Sequence, residues 1–396
     1  MLRWVYLLLA SLLVGLGSLN AVWAPAWTGW KLAVLAAGYG HWLALAALLL
    51  AALAWLGREQ HLLVALATVL LAAVAFGLLL KPTLEAARLA ADLPERLERA
   101  FGPSEVKRAP FSLRGFVAPE EGEIAVETRA FSEGLPLDLY RPSNYTGPAL
   151  PVVIMVHGGG WDGGDRTEMV HFNRWLAGRG YAVAAIDYRL APQHIWPAQR
   201  DDLLAAIGYL KTHAHEFGID ATRLVLLGRS AGGQIAETVA YTAADPAIRG
   251  VAALYAPADM EFAYSFGTED DILKSPLLLR QFLGGPPTTA LENYRAASSY
   301  FQVTRSVSPT LLVHGQLDTL VWHRQSERLA ARLAEHGVPH VFVSVPWTTH
   351  ALEYNLASPA GQLTTYALEW FLAAVTRSAP APLSVEPSEN NPSKTP

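Results

Sequence analysis

The chain has 396 residues, no cysteine and a formal net charge of -5, with hydrophobic residues making up 52% of it. That length allows two domains or one large one. The lack of cysteine excludes disulfides, thiolate metal sites and thiol nucleophiles, and so small a charge without a basic block argues against a nucleic-acid partner.

The hydrophobic excess is concentrated at the N-terminus, in "WVYLLLASLLVGLGSLNAVW" (4–23), "LAVLAAGYGHWLALAALLLAALAWL" (32–56) and "LLVALATVLLAAVAFGLLL" (62–80). Each is near the ~20 residues that a helix needs to cross the hydrocarbon core of a bilayer. Trp4, Trp23, Trp27, Trp30 and Trp55 fall at the ends of these runs, where amphipathic rings sit at the headgroup level. The pattern predicts three transmembrane helices within residues 1–80 and a multi-pass integral membrane protein, with the bilayer as a partner. A cleaved signal peptide is the competing reading of the first run, and bulky Trp23 followed by Pro25 counts against it. Arg3 and Arg58 on one side nearly balance Lys31, Lys81 and Arg88 on the other. With the first helix dominant, the expectation is N-terminus inside and everything after Lys81 extracytoplasmic.

Residues 81–122 begin with "KPTLEAARLAADLPERLERAF", a charged helical pattern interrupted by Pro94, and read as a helical linker. From 123 the pattern changes to short runs bounded by turn residues: "EIAVETRAF", "LPLDLYR", "PVVIMVH", "YAVAAID", "RLVLLG", "GVAALY", "PTLLVHG" and "HVFVSV". The later ones are continuous apolar stretches of the kind buried on both faces. Helical segments alternate with them, which predicts an α/β domain over 123–377 with a mostly parallel sheet. The first two strands, joined by "SEG", are expected to form an antiparallel edge. Residues 259–305 are an irregular, aromatic insertion expected to cap the sheet edge and shape a pocket. The Pro- and Ser-rich end, 378–396, is expected to be disordered.

In open α/β sheets ligands bind beyond the carboxyl ends of the strands. Ser230 follows "RLVLLG", Asp318 follows "PTLLVHG", His350 follows "HVFVSVP", and the loop "HGGGW" (157–161) follows "PVVIMV". A serine hydroxyl needs an imidazole to take its proton, and the imidazole needs a carboxylate to hold its tautomer. Ser230, His350 and Asp318 supply those parts. In "GRSAGG" (228–233), Gly228 and Gly232 flank a turn too crowded for side chains. Gly158 and Gly159 can bring backbone NH groups to a developing oxyanion, and Ala231 supplies the NH beside the nucleophile. Asp259, after another strand, is the rival acid. His340 falls on the wrong edge, His336 at a helix end, and His314 is expected to be structural.

With "DYRLAP" (187–192) and the order Ser, Asp, His, these motifs resemble the α/β-hydrolase fold esterases of the hormone-sensitive-lipase-like group and the neighbouring carboxylesterase and feruloyl-esterase-like families. The resemblance covers about residues 123–377. It implies Ser230 as nucleophile, His350 as base, Asp318 as orienting acid, and Gly158, Gly159 and Ala231 as oxyanion donors. His157, Gly160 and the "DYRLAP" segment would support the oxyanion loop. Two positions depart from the pattern: Arg229, where an acidic residue is common, and Trp322, where a proline is.

The sequence therefore predicts a membrane-anchored serine carboxylesterase that acts through an acyl-enzyme on small or lipid-derived esters, with no metal and no organic cofactor. Amide or thioester hydrolysis and acyl transfer use the same machinery. A non-catalytic receptor on a hydrolase scaffold is disfavoured, because the triad and the oxyanion glycines are all present.

Overall fold

The computed structural model describes residues 2–24, 26–117 and 122–377. The expected disordered tail lies outside them. Three apolar helices come first: α1 (Leu2–Ser18), α2 (Trp27–Leu56) and α3 (Leu62–Phe101). Close approach between them uses small residues. A Cβ on Gly17 would lie 3.0 Å from that of Leu78, and one on Gly40 would lie 2.8 Å from the carbonyl oxygen of Leu79. Ala44, Ala47, Ala75 and Leu79 fill the space between helices.

Two expectations are corrected here. α2 and α3 are long and apolar enough to cross a bilayer, but α1 has only 17 residues rather than the twenty expected over 4–23. It stops because the chain turns at Asn20, whose amide donates to Leu78 O at 3.3 Å while Lys81 Nζ donates to Asn20 O at 2.9 Å. The linker is not a separate helix either. α3 runs unbroken through Pro82 and Pro94 to Phe101. Its last turns are docked: Leu93 and Leu97 are buried in the hydrolase core, and Arg96 donates to Phe342 O at 2.6 Å. Tertiary packing outweighs the helix-breaking tendency of proline.

The second unit is an eight-stranded sheet of β1 (Ile124–Ser132), β2 (Leu135–Pro142), β3 (Leu150–Val156), β4 (Ala182–Ile186), β5 (Ile219–Arg229), β6 (Ile248–Leu254), β7 (Thr310–Gly315) and β8 (His340–Val345), in the order β1-β2-β4-β3-β5-β6-β7-β8. β1 and β2 are antiparallel and joined through Gly134 at φ +71°; β4, β3 and β5 to β8 are parallel to one another. The middle strands "VVIMV" and "AVAAI" are buried along their whole length, because helices cover both faces.

The intervening helices are α4 (Val170–Ala177), α5 (Ala198–Thr212), α6 (Ala214–Phe217), α7 (Ala231–Thr242), α8 (Met260–Phe266), α9 (Ser275–Leu283), α10 (Pro287–Ala297), α11 (Ser299–Gln302), α12 (Arg324–Glu335) and α13 (Pro359–Val375). Leu203 and Ile207 of α5 and Ile235 and Val239 of α7 pack on one face of the sheet. Phe172 of α4, Leu97 of α3 and Leu368 and Phe371 of α13 pack on the other. The insertion, expected to be irregular, holds the four short helices α8 to α11. This is an α/β-hydrolase fold with apolar helices at its N-terminus.

Candidate active site

β5 ends at Arg229 and α7 begins at Ala231, so Ser230 alone makes the turn. Its backbone sits at φ 52°, ψ -123°, a strained conformation for a residue with a side chain. The turn is held from both sides: Ser230 N donates to Leu254 O at 2.9 Å, and Gly233 N to Ser230 O at 2.9 Å. A Cβ on Gly228 would lie 2.2 Å from Gly232 O, and one on Gly232 would lie 2.2 Å from His157 O. Neither position accepts a side chain without moving the backbone of its neighbour.

The loop after β3 reaches over this turn. A Cβ on Gly158 would come within 3.4 Å of Ser230 Cβ. Gly159 and Gly160 lie at φ +100° and +62°, where glycine is favoured. Among the described residues the amides of Gly158, Gly159 and Ala231 donate to no protein acceptor. Supports come from behind. The His157 ring stacks on Tyr188 with centroids 4.1 Å apart, and Tyr188 OH donates to Gly158 O at 3.1 Å. Trp161 Nε1 donates to Gln234 Oε1 at 2.8 Å, and Trp161 O accepts from Ala191 N at 2.9 Å. Tyr188 and Ala191 belong to the "DYRLAP" segment.

Asp318 and His350 meet. His350 Nδ1 lies 2.6 Å from Asp318 Oδ2, and Asp318 Oδ1 accepts from Leu320 N at 2.8 Å and Val321 N at 2.9 Å. Burial opposes ionisation of Asp318, but the adjacent His350 and hydrogen bonds from His314 and His350 more than offset it and hold the carboxyl well below its ordinary range. The Tyr255 ring packs against the His350 imidazole with centroids 4.2 Å apart. Tyr255 follows Leu254, the acceptor of the Ser230 amide, so one strand end touches both Ser230 and His350. Among the described residues no hydrogen bond joins Ser230 to His350; such contacts commonly tighten only with substrate bound.

The rivals are placed elsewhere. Asp259 caps α8 by accepting from Phe262 N at 2.9 Å and pairs with Arg328 at 2.6 Å. His340 starts β8 on the opposite edge, and His336 ends α12 bonded to Arg332 O. His314 differs from its expected purely structural place: its Nε2 lies 3.2 Å from Asp318 Oδ2 and 3.0 Å from Val321 O, while Nδ1 faces Ser326 Oγ at 2.8 Å. With two acceptors before it, Nε2 carries the proton, and the aspartate receives two imidazole donors.

A second group escaped sequence reasoning. Arg229 Nε donates to Glu353 Oε1 at 2.5 Å and to Tyr255 OH at 2.8 Å, and its Nη1 reaches Glu168 at 3.2 Å. Tyr255 OH also donates to Glu353 at 2.5 Å. Glu353 is fully buried, three residues after His350. This cluster ties the Ser230 turn, the end of β6 and the His350 loop together. The signal was in view, since a cation beside Ser230 at a buried strand end requires an anion.

A cavity of about 250 Å³ opens beside Ser230. Trp161, Leu279, Phe262, Phe266 and Trp322 line it, so the insertion does shape a pocket, and the tryptophan in place of the common proline forms part of its wall. Among the described residues no group of three or more His, Asp or Glu is placed to hold a metal ion.

The sheet order, the glycine-flanked turn and the strand-end loops define an α/β hydrolase related to esterases. The BD-FAE family profile matches residues 137–333, about half of the chain. The chain is similar to the probable carboxylic ester hydrolase LipM of Mycobacterium tuberculosis, 30% identical over 251 residues that cover 60% of this chain and 58% of the relative. It is 29% identical to the esterase LipC of the same organism over 262 residues, 61% of this chain and 62% of that one. It thus spans about three fifths of the length of these curated relatives. Among solved structures it is similar to a bacterial heroin esterase, with TM-score 0.56 and 25% identity over 66% of this chain and 88% of that one. The fold is also shared with esterase LipW from Mycobacterium marinum, at TM-score 0.53 and 22% identity over 73% and 89%.

Proposed function

We propose that the chain is a serine carboxylesterase, held at a membrane by its apolar N-terminal helices, with Ser230, His350 and Asp318 as its triad. The observation that supports this most is the buried Asp318–His350 pair on the same sheet edge as the strained Ser230 turn. Ser230 Oγ attacks the ester carbonyl as His350 Nε2 takes its proton. The oxyanion is received by the amides of Gly158, Gly159 and Ala231, each donor worth roughly 3 to 4 kcal/mol in comparable sites. His350 then protonates the departing alcohol, and water, activated in the same way, releases the acyl group. Asp318 stays ionised throughout and holds the imidazole tautomer.

The apolar cavity beside Ser230 suits an acyl chain. On a panel of p-nitrophenyl esters, kcat/KM is expected to rise with acyl length until the cavity fills, by up to about fourfold per methylene, since each buried methylene contributes about 0.8 kcal/mol. Ser230→Ala is expected to lower kcat by about 10⁴-fold or more without unfolding the protein. Full activity in Ser230→Ala, or hydrolysis by neither protein of any ester in the panel, would refute the reading.

A further inference from the structure

α2 has 30 residues, about 45 Å of helix, against a hydrocarbon core of roughly 30 Å. The edge of the three-helix bundle is marked near Gly17, Gly40 and Leu79, where the helices close on one another and Lys81 reaches back to Asn20. The N-terminal part of α2, Trp27–Tyr39, extends past this edge, and its last residues pack on the hydrolase unit. Gly38 O accepts from Asn355 Nδ2 at 2.8 Å, and Val34, Gly38 and Tyr39 line a narrow crevice whose other wall is the loop Thr348–Asn355, His350 included.

A neighbouring face of the helix, which meets the crevice at Tyr39, is bare. Leu32, Leu35, Tyr39 and Trp42 are 40 to 52% exposed, and their spacing of three and four residues puts them on one helical stripe. The stripe continues without a charged residue into Leu45 and Leu49, which lie in the bundle section of the helix. Beside Tyr39 across the crevice stands Tyr354, 64% exposed. An apolar stripe continuous with the exposed one of the bundle section, with Tyr39 and Trp42 midway along it and Leu32 at its far end, matches a helix leaving the core through the interfacial layer.

We infer that the bilayer covers α2 as far as Leu32 and that its headgroup layer contacts the loop carrying His350. The inference rests on reading the N-terminal helices as membrane-spanning, and it adds that the catalytic loop itself is a membrane-contact surface. The general base then stands at the lipid–water boundary, next to esters lying in the leaflet.

The cysteine-free chain makes the test direct, because an introduced cysteine is the only thiol. Full-length Leu35→Cys, Tyr354→Cys, Leu49→Cys and Tyr145→Cys proteins are labelled with bimane and placed in phosphatidylcholine nanodiscs that carry spin-labelled lipid, with the nitroxide at the headgroup or deep in the acyl chain. Headgroup nitroxide is expected to lower emission at Leu35 and Tyr354 at least about twofold, deep nitroxide to act on Leu49, and neither to act on Tyr145. Quenching at Leu49 with none at Leu35 or Tyr354 would overturn the inference and leave membrane anchoring intact. No quenching at Leu49 would overturn anchoring, and the inference with it. Shielding of Leu35 that grows with protein concentration instead of lipid would assign the stripe to a second copy and also overturn it.

Discussion

Arg229 stands beside Ser230 outside the lining of the cavity, and its side chain is held by Glu353 and Tyr255. Breaking a buried pair by removing one partner costs about 3 to 5 kcal/mol, because the remaining charge is left without compensation. Arg229→Met is therefore expected to lower stability by about that amount and to lower kcat more than KM. The double variant Arg229→Met/Glu353→Gln should recover most of the stability, as denaturant titration would read. If the double variant is no more stable than the single one, the pairing is not what holds the loop. Removing the carboxylate that fixes the imidazole tautomer cost about 10⁴-fold in kcat in a well-studied triad. Asp318→Asn should behave similarly, while Asp259→Asn, whose carboxylate caps a helix, should change kcat less than about tenfold. Reversal of that order would transfer the acid's role to Asp259. The triad candidates were legible because each follows a strand and so falls on one edge whatever the details. Glu353 and His314 were not. Their meaning lies in pairings with Arg229 and Asp318 that no local periodicity encodes, and a buried histidine four residues before an aspartate reads alike whether it packs or donates.

Helix α7 also carries a buried carboxyl. Glu237 accepts from Ser299 Oγ at 2.7 Å, and burial pushes its pKa up from the ordinary 4.5 to about 8. The folded state thus binds a proton that the unfolded chain loses above pH 4.5, so folding weakens as pH rises from about 4.5 to about 8 and levels off beyond. Glu237→Gln removes this dependence. Its gain in Tm over the parent should be small at pH 4.5, grow up to pH 8 and then stay constant, and a gain independent of pH would contradict the assignment. At the other end of the domain, Leu97 lies on α3 outside the hydrolase pattern yet is buried in the sheet's core. Leu97→Ala should cost about 2 to 5 kcal/mol, as for other large-to-small core changes. The eight strands were legible from their apolar runs and bounding turns, and the antiparallel first pair from its short glycine-containing connection. The length of α3 was not, since Pro82 and Pro94 signal a break in sequence. Their helix survives through contacts made by Leu93 and Leu97 with residues more than a hundred positions away.

At the scale of the whole molecule, the apolar helices and the hydrolase are one packed body, because α3 belongs to the bundle at one end and to the sheet's core at the other. Extraction with alkaline carbonate should leave the protein with the membrane pellet, and its appearance in the supernatant would contradict anchoring by these helices. The central claim remains chemical, that Ser230 is a nucleophile activated by His350. The most direct measurement is intact-protein and peptide mass spectrometry after treatment with a fluorophosphonate. The account predicts one adduct, on the peptide containing Ser230, formed rapidly in the parent and at least about 10³-fold more slowly in His350→Ala. A folded protein that remains unlabelled, or one labelled at Ser230 equally fast without His350, would contradict it.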